Sequence, residues 1–127
     1  MAIEPKRKTR QRDAVRDVLE HSDHPLGIAE VLEAASARVD GLGVATVYRA
    51  VAALLEEGWL ETVEVPGEPP RYERADKGHH HHFQCETCNR VYDIEGCMEN
   101  LRGLVPPKFR IKAHSVMLFG ICANCAS

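Results

Sequence analysis

Two Cys-x-x-Cys pairs, Cys85-x-x-Cys88 and Cys122-x-x-Cys125, constrain this chain more than any other feature. Each pair forms a tight turn that presents both sulfurs to one point, and four thiolates suit a tetrahedral zinc ion. The span between the pairs is longer than in a simple zinc ribbon and can hold a helix and two strand segments. The C-terminal half is therefore expected to be stapled by one structural zinc. With sulfur at all four positions the site is closed and does no chemistry. Small buried hydrophobes are the plain alternative; a redox pair would explain one knuckle but not two.

The length of 127 residues allows one compact unit or two small ones. Two small units would have thin cores, which a metal or a partner subunit would reinforce. No apolar run approaches the length of a membrane span, and the start, MAIEPKRKTRQR, lacks the apolar stretch of a signal peptide. A cytoplasmic, non-membrane location is expected, where disulfides are disfavoured and cysteines point to metal. A net charge of −3 with pI near 6.1 is not the profile of a strongly basic nucleic-acid binder. The charge is uneven, however. Lys6, Arg7, Lys8, Arg10, Arg12 and Arg16 crowd one end against Glu4 and Asp13, a local basic patch able to meet phosphates.

The N-terminal half reads as three helices and a hairpin. Thr9 is positioned to cap a helix running to about His21, with Ala14, Val15, Val18 and Leu19 on one face. Asp23-His24-Pro25 breaks it. A second helix starts near Gly27, with Ile28, Val31, Leu32 and Ala35 at helical spacing. A third starts near Ala45 or Thr46, buries Val47, Val51, Leu54 and Leu55, and ends at Glu57-Gly58. Trp59–Val65 and Arg71–Arg74 read as strands around a Pro/Gly turn. These are the parts of a winged helix-turn-helix whose third helix, bearing Thr46, Tyr48 and Arg49 outward, would enter a major groove. A generic helical subdomain with a hairpin fits the same pattern. Asp76-Lys77-Gly78 reads as a hinge between domains at 1–75 and 79–127.

The second half reads as an α+β unit. Phe83–Cys85 and Val91–Asp93 pair as strands around the first knuckle, Met98–Leu104 forms a short helix, and Phe109–Ala113 and Val116–Ile121 add strand segments. A sheet this small leaves an apolar face and an edge uncovered, which dimerisation would remedy.

Four consecutive histidines, His79 to His82, stand three residues ahead of Cys85. In extended chain they alternate faces, His80 and His82 to one side, His79 and His81 to the other. That pattern serves two sites. Imidazole with carboxylate suits Fe²⁺, Zn²⁺ or Mn²⁺, and Glu73, Asp93, Glu99, His114 and the more distant His24 are the candidate partners. Cys97, the odd cysteine, reads as a small buried residue on a helix, with a ligand or redox role as the alternative.

The segment GLGVATVYRAVAALLEEGWL, the run HHHHFQCETC and the stretch AHSVMLFGICANC resemble the ferric uptake regulator family of metal-dependent repressors. Thr9-Arg10-Gln11-Arg12 is similar to that family's first-helix motif, and the resemblance spans nearly the whole chain. It implies a homodimer with an N-terminal winged helix and a C-terminal dimerisation domain, acting on a palindromic, A/T-rich DNA operator. It implies DNA contacts from Arg12, Thr46, Tyr48 and Arg49. It also implies a regulatory metal held by His24, Glu73, His80, His82 and Asp93, and a second site of His79, His81 and His114 with Glu99 as its carboxylate.

The chain departs from the family pattern in places. His81 replaces an Asp in the histidine run, Asn100 stands where the second site has Glu, and Asp93 replaces Glu as in the peroxide-sensing branch. The expected function is a metal-responsive repressor rather than an enzyme, with peroxide sensing as the variant of the same plan. A zinc hydrolase would need a substrate cleft, which the chain has little length to wall. A metal chaperone would need no DNA-reading helix.

Overall fold

The computed structural model describes residues 7–97 and 101–126. The chain divides into two compact units, Met1–Lys77 and Gly78–Ser127.

In the N-terminal unit, helices α1 (Arg7–His21), α2 (Ile28–Ser36) and α3 (Val44–Glu56) precede strands β1 (Leu60–Val63) and β2 (Arg71–Arg74). One core joins them. Ala14, Val15, Val18 and Leu19 of α1 meet Val31 and Ala35 of α2 and Val47, Ala50, Val51 and Leu54 of α3. Ile28, Leu32 and Leu55 are half-buried against it, so the helical periodicity of the sequence located this core. α2 starts at Gly27, whose backbone N–H donates to the Glu30 carboxylate at 3.1 Å, one arm of a capping box. α3 ends where Gly58 takes a φ of 78°. Gly58 N–H then donates to Leu55 O and Trp59 N–H to Leu54 O, both at 3.0 Å, a Schellman motif that turns the chain into β1.

β1 and β2 pair antiparallel, Leu60 opposite Arg74 and Val63 opposite Arg71. Leu26 extends the ribbon through two backbone bonds to Tyr72, at 2.9 and 2.8 Å. That tie fixes the α1–α2 connection, with His24, against the ribbon. Two boundaries differ from expectation. α1 is already helical at Arg7, so Thr9 lies inside the helix and does not cap it. The next turn is held instead by buried Gln11, whose side-chain amide donates to Asp40 O at 3.2 Å. α3 begins at Val44, with Gly43 as its N-cap.

Leu19 is 2% exposed at the centre of this core. Leu19→Ala is expected to destabilise the N-terminal unit by about 2–5 kcal/mol, the range for a truncated core leucine, read from the midpoint of its denaturant transition.

The C-terminal unit is a three-stranded sheet of order β4-β3-β5, from β3 (His81–Cys85), β4 (Val91–Ile94) and β5 (Met117–Gly120). β4 runs antiparallel to β3, and β5 runs parallel to it. A short helix, α4 (Ala123–Ala126), follows. Gly120 lies so close to β3 that a Cβ there would meet the Phe83 ring at 3.0 Å. Three segments differ from expectation. Leu101–Leu104 is a 3₁₀ turn, and the rest of the expected Met98–Leu104 helix, Met98 to Asn100, lies outside the described residues. Phe109 to Ala113 forms no strand, for its alternating apolar residues find no pairing partner among the described residues, and Phe109 and Ile111 are exposed. The last strand covers Met117–Gly120 alone.

Candidate metal centres and nucleic-acid face

The four-cysteine cluster follows from strand register. Parallel pairing sets Cys85 opposite Gly120, so both strands end at the same edge and Cys122 follows two residues later. The turn after β3 returns Cys88, with Asn89 at a φ of 66°, and α4 returns Cys125. The four sulfurs lie within 4.8 Å of one another, and Cys88 and Cys122 stand 3.9 Å apart. The backbone N–H groups of Cys88 and Cys122 both point at Cys85 Sγ, at 3.4 Å. These donors hold the Cys85 thiol down to about 6, so it ionises readily. A hydrogen bond with Tyr92 lowers Cys122, whereas Cys125, facing Cys122, is pushed up to about 12. Four crowded sulfurs cannot all ionise without a cation among them, and this donor set fits tetrahedral zinc with no position left open.

The histidine run divides as its alternation requires. On one face His82 lies directly opposite Asp93 across the β3–β4 ladder. His82 Nε2 and His80 Nε2 approach Asp93 Oδ1 at 3.3 and 3.4 Å, with ring centroids 4.8 Å apart. His80 Nδ1 donates to the Gly78 carbonyl at 2.8 Å, which orients Nε2 towards Asp93. Two imidazoles and a carboxylate on one point suit a divalent transition ion.

The other residues expected at this site belong to the N-terminal unit. Glu73, on β2, is buried with Oε2 3.5 Å from Lys77 Nζ. His24 pairs with Asp23 through Nδ1 at 2.8 Å, and its Nε2 lies 3.9 Å from Glu30 Oε2.

On the opposite face His79, His81 and His114 lie near one another. His79 and His114 have Nε2 atoms 3.0 Å apart, and the His81 ring lies 4.7 Å from the His79 ring and 5.0 Å from the His114 ring. Burial, then the neighbouring His79 and His114, push His81 below the usual histidine value, which keeps it neutral. Glu99 lies outside the described residues. Cys97, for which the sequence favours a buried helical place over a ligand role, stands beside this cluster. It is exposed and outside any helix, and its Sγ lies 3.0 Å from His114 Nε2 and 3.5 Å from His79 Nε2.

α3 carries the candidate nucleic-acid face. Val47, Ala50, Val51 and Leu54 point into the core. Tyr48 and Arg49 are exposed on the other side, with half-buried Thr46 beside them accepting from Arg49 Nη2 at 3.2 Å. Arg12 is exposed on α1. No helix among the described residues is long and apolar enough to cross a membrane.

A helix-turn-helix with a β ribbon, followed by a small unit rich in clustered metal ligands, is the plan of a metal-responsive transcriptional regulator. The chain belongs to the ferric uptake regulator family, whose profile matches residues 5–119. It is 30% identical over 122 residues to the ferric uptake regulation protein of Campylobacter jejuni, covering 92% of this chain and 78% of that one. It is 29% identical over 124 residues to the zinc uptake regulation protein of Mycobacterium tuberculosis, covering 95% of each. The fold is similar to that of the ferric uptake regulator of Helicobacter pylori, with a TM-score of 0.77 at 24% identity over 98% of this chain and 83% of that one.

Proposed function

We propose that this protein is a DNA-binding repressor that works as a homodimer. In this reading a divalent ion, Fe²⁺, Zn²⁺ or Mn²⁺, held by His24, Glu73, His80, His82 and Asp93, favours the DNA-binding conformation. The observation that carries the reading is the convergence of His80 and His82 on Asp93 a few residues beyond the junction of the two units. His24 and Glu73 come from one unit and the other three residues from the next, so a shared ion would restrict the 76–78 hinge. In a dimer that restriction sets the spacing of two recognition helices, which must match half-sites about one helical turn apart. Metal and DNA are then linked through a population shift. A separate zinc at Cys85, Cys88, Cys122 and Cys125 holds the C-terminal unit. A second copy is supported by the exposed Leu118 and Phe119 of the edge strand β5, with Ile121 just beyond it. The partner is a palindromic, A/T-rich duplex met by Arg12, Thr46, Tyr48 and Arg49; no catalytic role is assigned, and the location is the cytoplasm.

Selection of sheared genomic DNA by the zinc-loaded protein, with and without each added ion, tests this reading. Fragments enriched only with metal are expected. Arg49→Ala is expected to weaken binding to such a fragment about 5–150-fold, the span of roughly 1–3 kcal/mol for one lost base or phosphate contact. No enrichment by a folded, zinc-loaded protein would overturn the repressor reading in favour of a metal carrier or an enzyme.

A further inference from the structure

We infer that Cys97 closes the second histidine cluster as a three-histidine, one-thiolate site, and that this site is built for zinc in preference to iron or manganese. The inference deepens the metal-responsive reading above, on which it rests.

His79 Nε2, His114 Nε2 and Cys97 Sγ form a triangle with sides of 3.0, 3.0 and 3.5 Å. Around tetrahedral zinc, metal–ligand lengths of about 2.05 Å to nitrogen and about 2.3 Å to sulfur place two nitrogens about 3.3 Å apart and a nitrogen and a sulfur about 3.6 Å apart. The sides from His79 come within about 0.3 Å of those separations, and the His114–Cys97 side is about 0.6 Å shorter. A hydrogen-bonded pair of imidazoles needs one shared proton and no third partner, whereas here a sulfur sits within reach of both nitrogens.

His81 supplies the fourth corner, since its ligand atom lies within 4.8 Å of the other three. Its ring is 4% exposed, and Nε2 is buried without a hydrogen-bond partner among the described residues. Nδ1 accepts from the Val116 N–H at 3.1 Å, so His81 ligates only when the ring turns or its proton moves to the other nitrogen.

Local backbone explains how Cys97 arrives. β4 ends at Ile94, and Gly96 at a φ of 98° bends the chain back towards the His79 side of the sheet. A carboxylate would make this a site for harder ions as well. A thiolate beside three imidazoles shifts it to borderline-soft zinc. Cys97 and His79 are exposed, so an ion can enter from solvent.

The test uses the full chain carrying one zinc per protomer in the four-cysteine site, titrated with Co²⁺. Zinc outcompetes cobalt at the closed site, and the cluster of His80, His82 and Asp93 contains no sulfur. A thiolate-to-cobalt charge-transfer band therefore reports Cys97 alone. The band is expected in the wild type with the visible bands of tetrahedral cobalt, and is expected to vanish in Cys97→Ser. That variant should keep its structural zinc and bind the second zinc at least about tenfold more weakly, as even an outer-shell change costs about 10–100-fold. Absence of the band in the wild type, or a second-zinc affinity unchanged in Cys97→Ser, would overturn the inference. No DNA enters the measurement, so its failure is separable from failure of the repressor reading.

Discussion

Replacing Cys122 with serine is expected to unfold the C-terminal unit while the N-terminal unit keeps its own structure. Among the described residues of the C-terminal unit the buried side chains are His81, Gln84, Cys85, Val91 and Cys122. Val91 is thus its one buried aliphatic. Burying such a residue is worth about 1.5–3 kcal/mol, far below the entropy of ordering a sheet of three strands. Structural zinc sites contribute on the order of 10–16 kcal/mol to folding. The metal term therefore decides whether this unit folds, and a ligand cluster of three thiolates should hold too little of it. The N-terminal unit has the main apolar core, so it should not follow. Hydrogen exchange reads the difference. Amides of β3, β4 and β5 should lose protection, those of α1 to α3 should retain it, and bound zinc should fall by one ion per chain. Retained protection in β3 of a zinc-depleted Cys122→Ser protein would show that packing alone sustains the sheet.

The same imbalance explains which parts of the structure were legible in the sequence. The three helices bury a shared stripe, so Val15, Val31 and Val47, each fully buried, announce themselves by spacing. The Cys pairs carry their geometry in their spacing, and the histidine run carries its two faces in the period of two that places His82 opposite Asp93. The errors lie where no such constraint acts. Thr9 has a capping side chain, yet α1 continues through it, because capping preference is small beside the burial of Gln11, Ala14 and Val15. Phe109, Ile111 and Ala113 alternate as a strand would, but alternation specifies a strand only when a neighbour pairs with it. For Cys97 the sequence favours a helical core place over a ligand role, because position in sequence says nothing about a bend at Gly96. The sulfur reaches His79 and His114 through tertiary placement, with 17 residues separating Cys97 from His114.

His82→Ala is expected to abolish the effect of metal on DNA binding without unfolding either unit. His82 is half-buried and faces Asp93, and its loss leaves the four cysteines and the Val91 packing in place. Typical couplings between two ligands are about 1–3 kcal/mol, or 5–150-fold in affinity. Wild-type protein should bind its operator fragment tighter by a factor in that range when the regulatory metal is added, whereas His82→Ala should bind at the metal-free level in both conditions. Linkage gives a second readout, because DNA must tighten metal binding by the factor with which metal tightens DNA binding. Titrating metal into the protein–DNA complex and into free protein should therefore show equal factors in the wild type and none in the variant. Arg49→Ala supplies the contrast, for it should weaken DNA binding in both metal states and leave metal affinity of free protein unchanged. If His82→Ala instead loses its fold together with its DNA binding, the histidine site is a structural staple like the cysteine one. A regulatory switch requires that the two properties separate, since only a site that two folded conformations hold with different affinity can bias the balance between them.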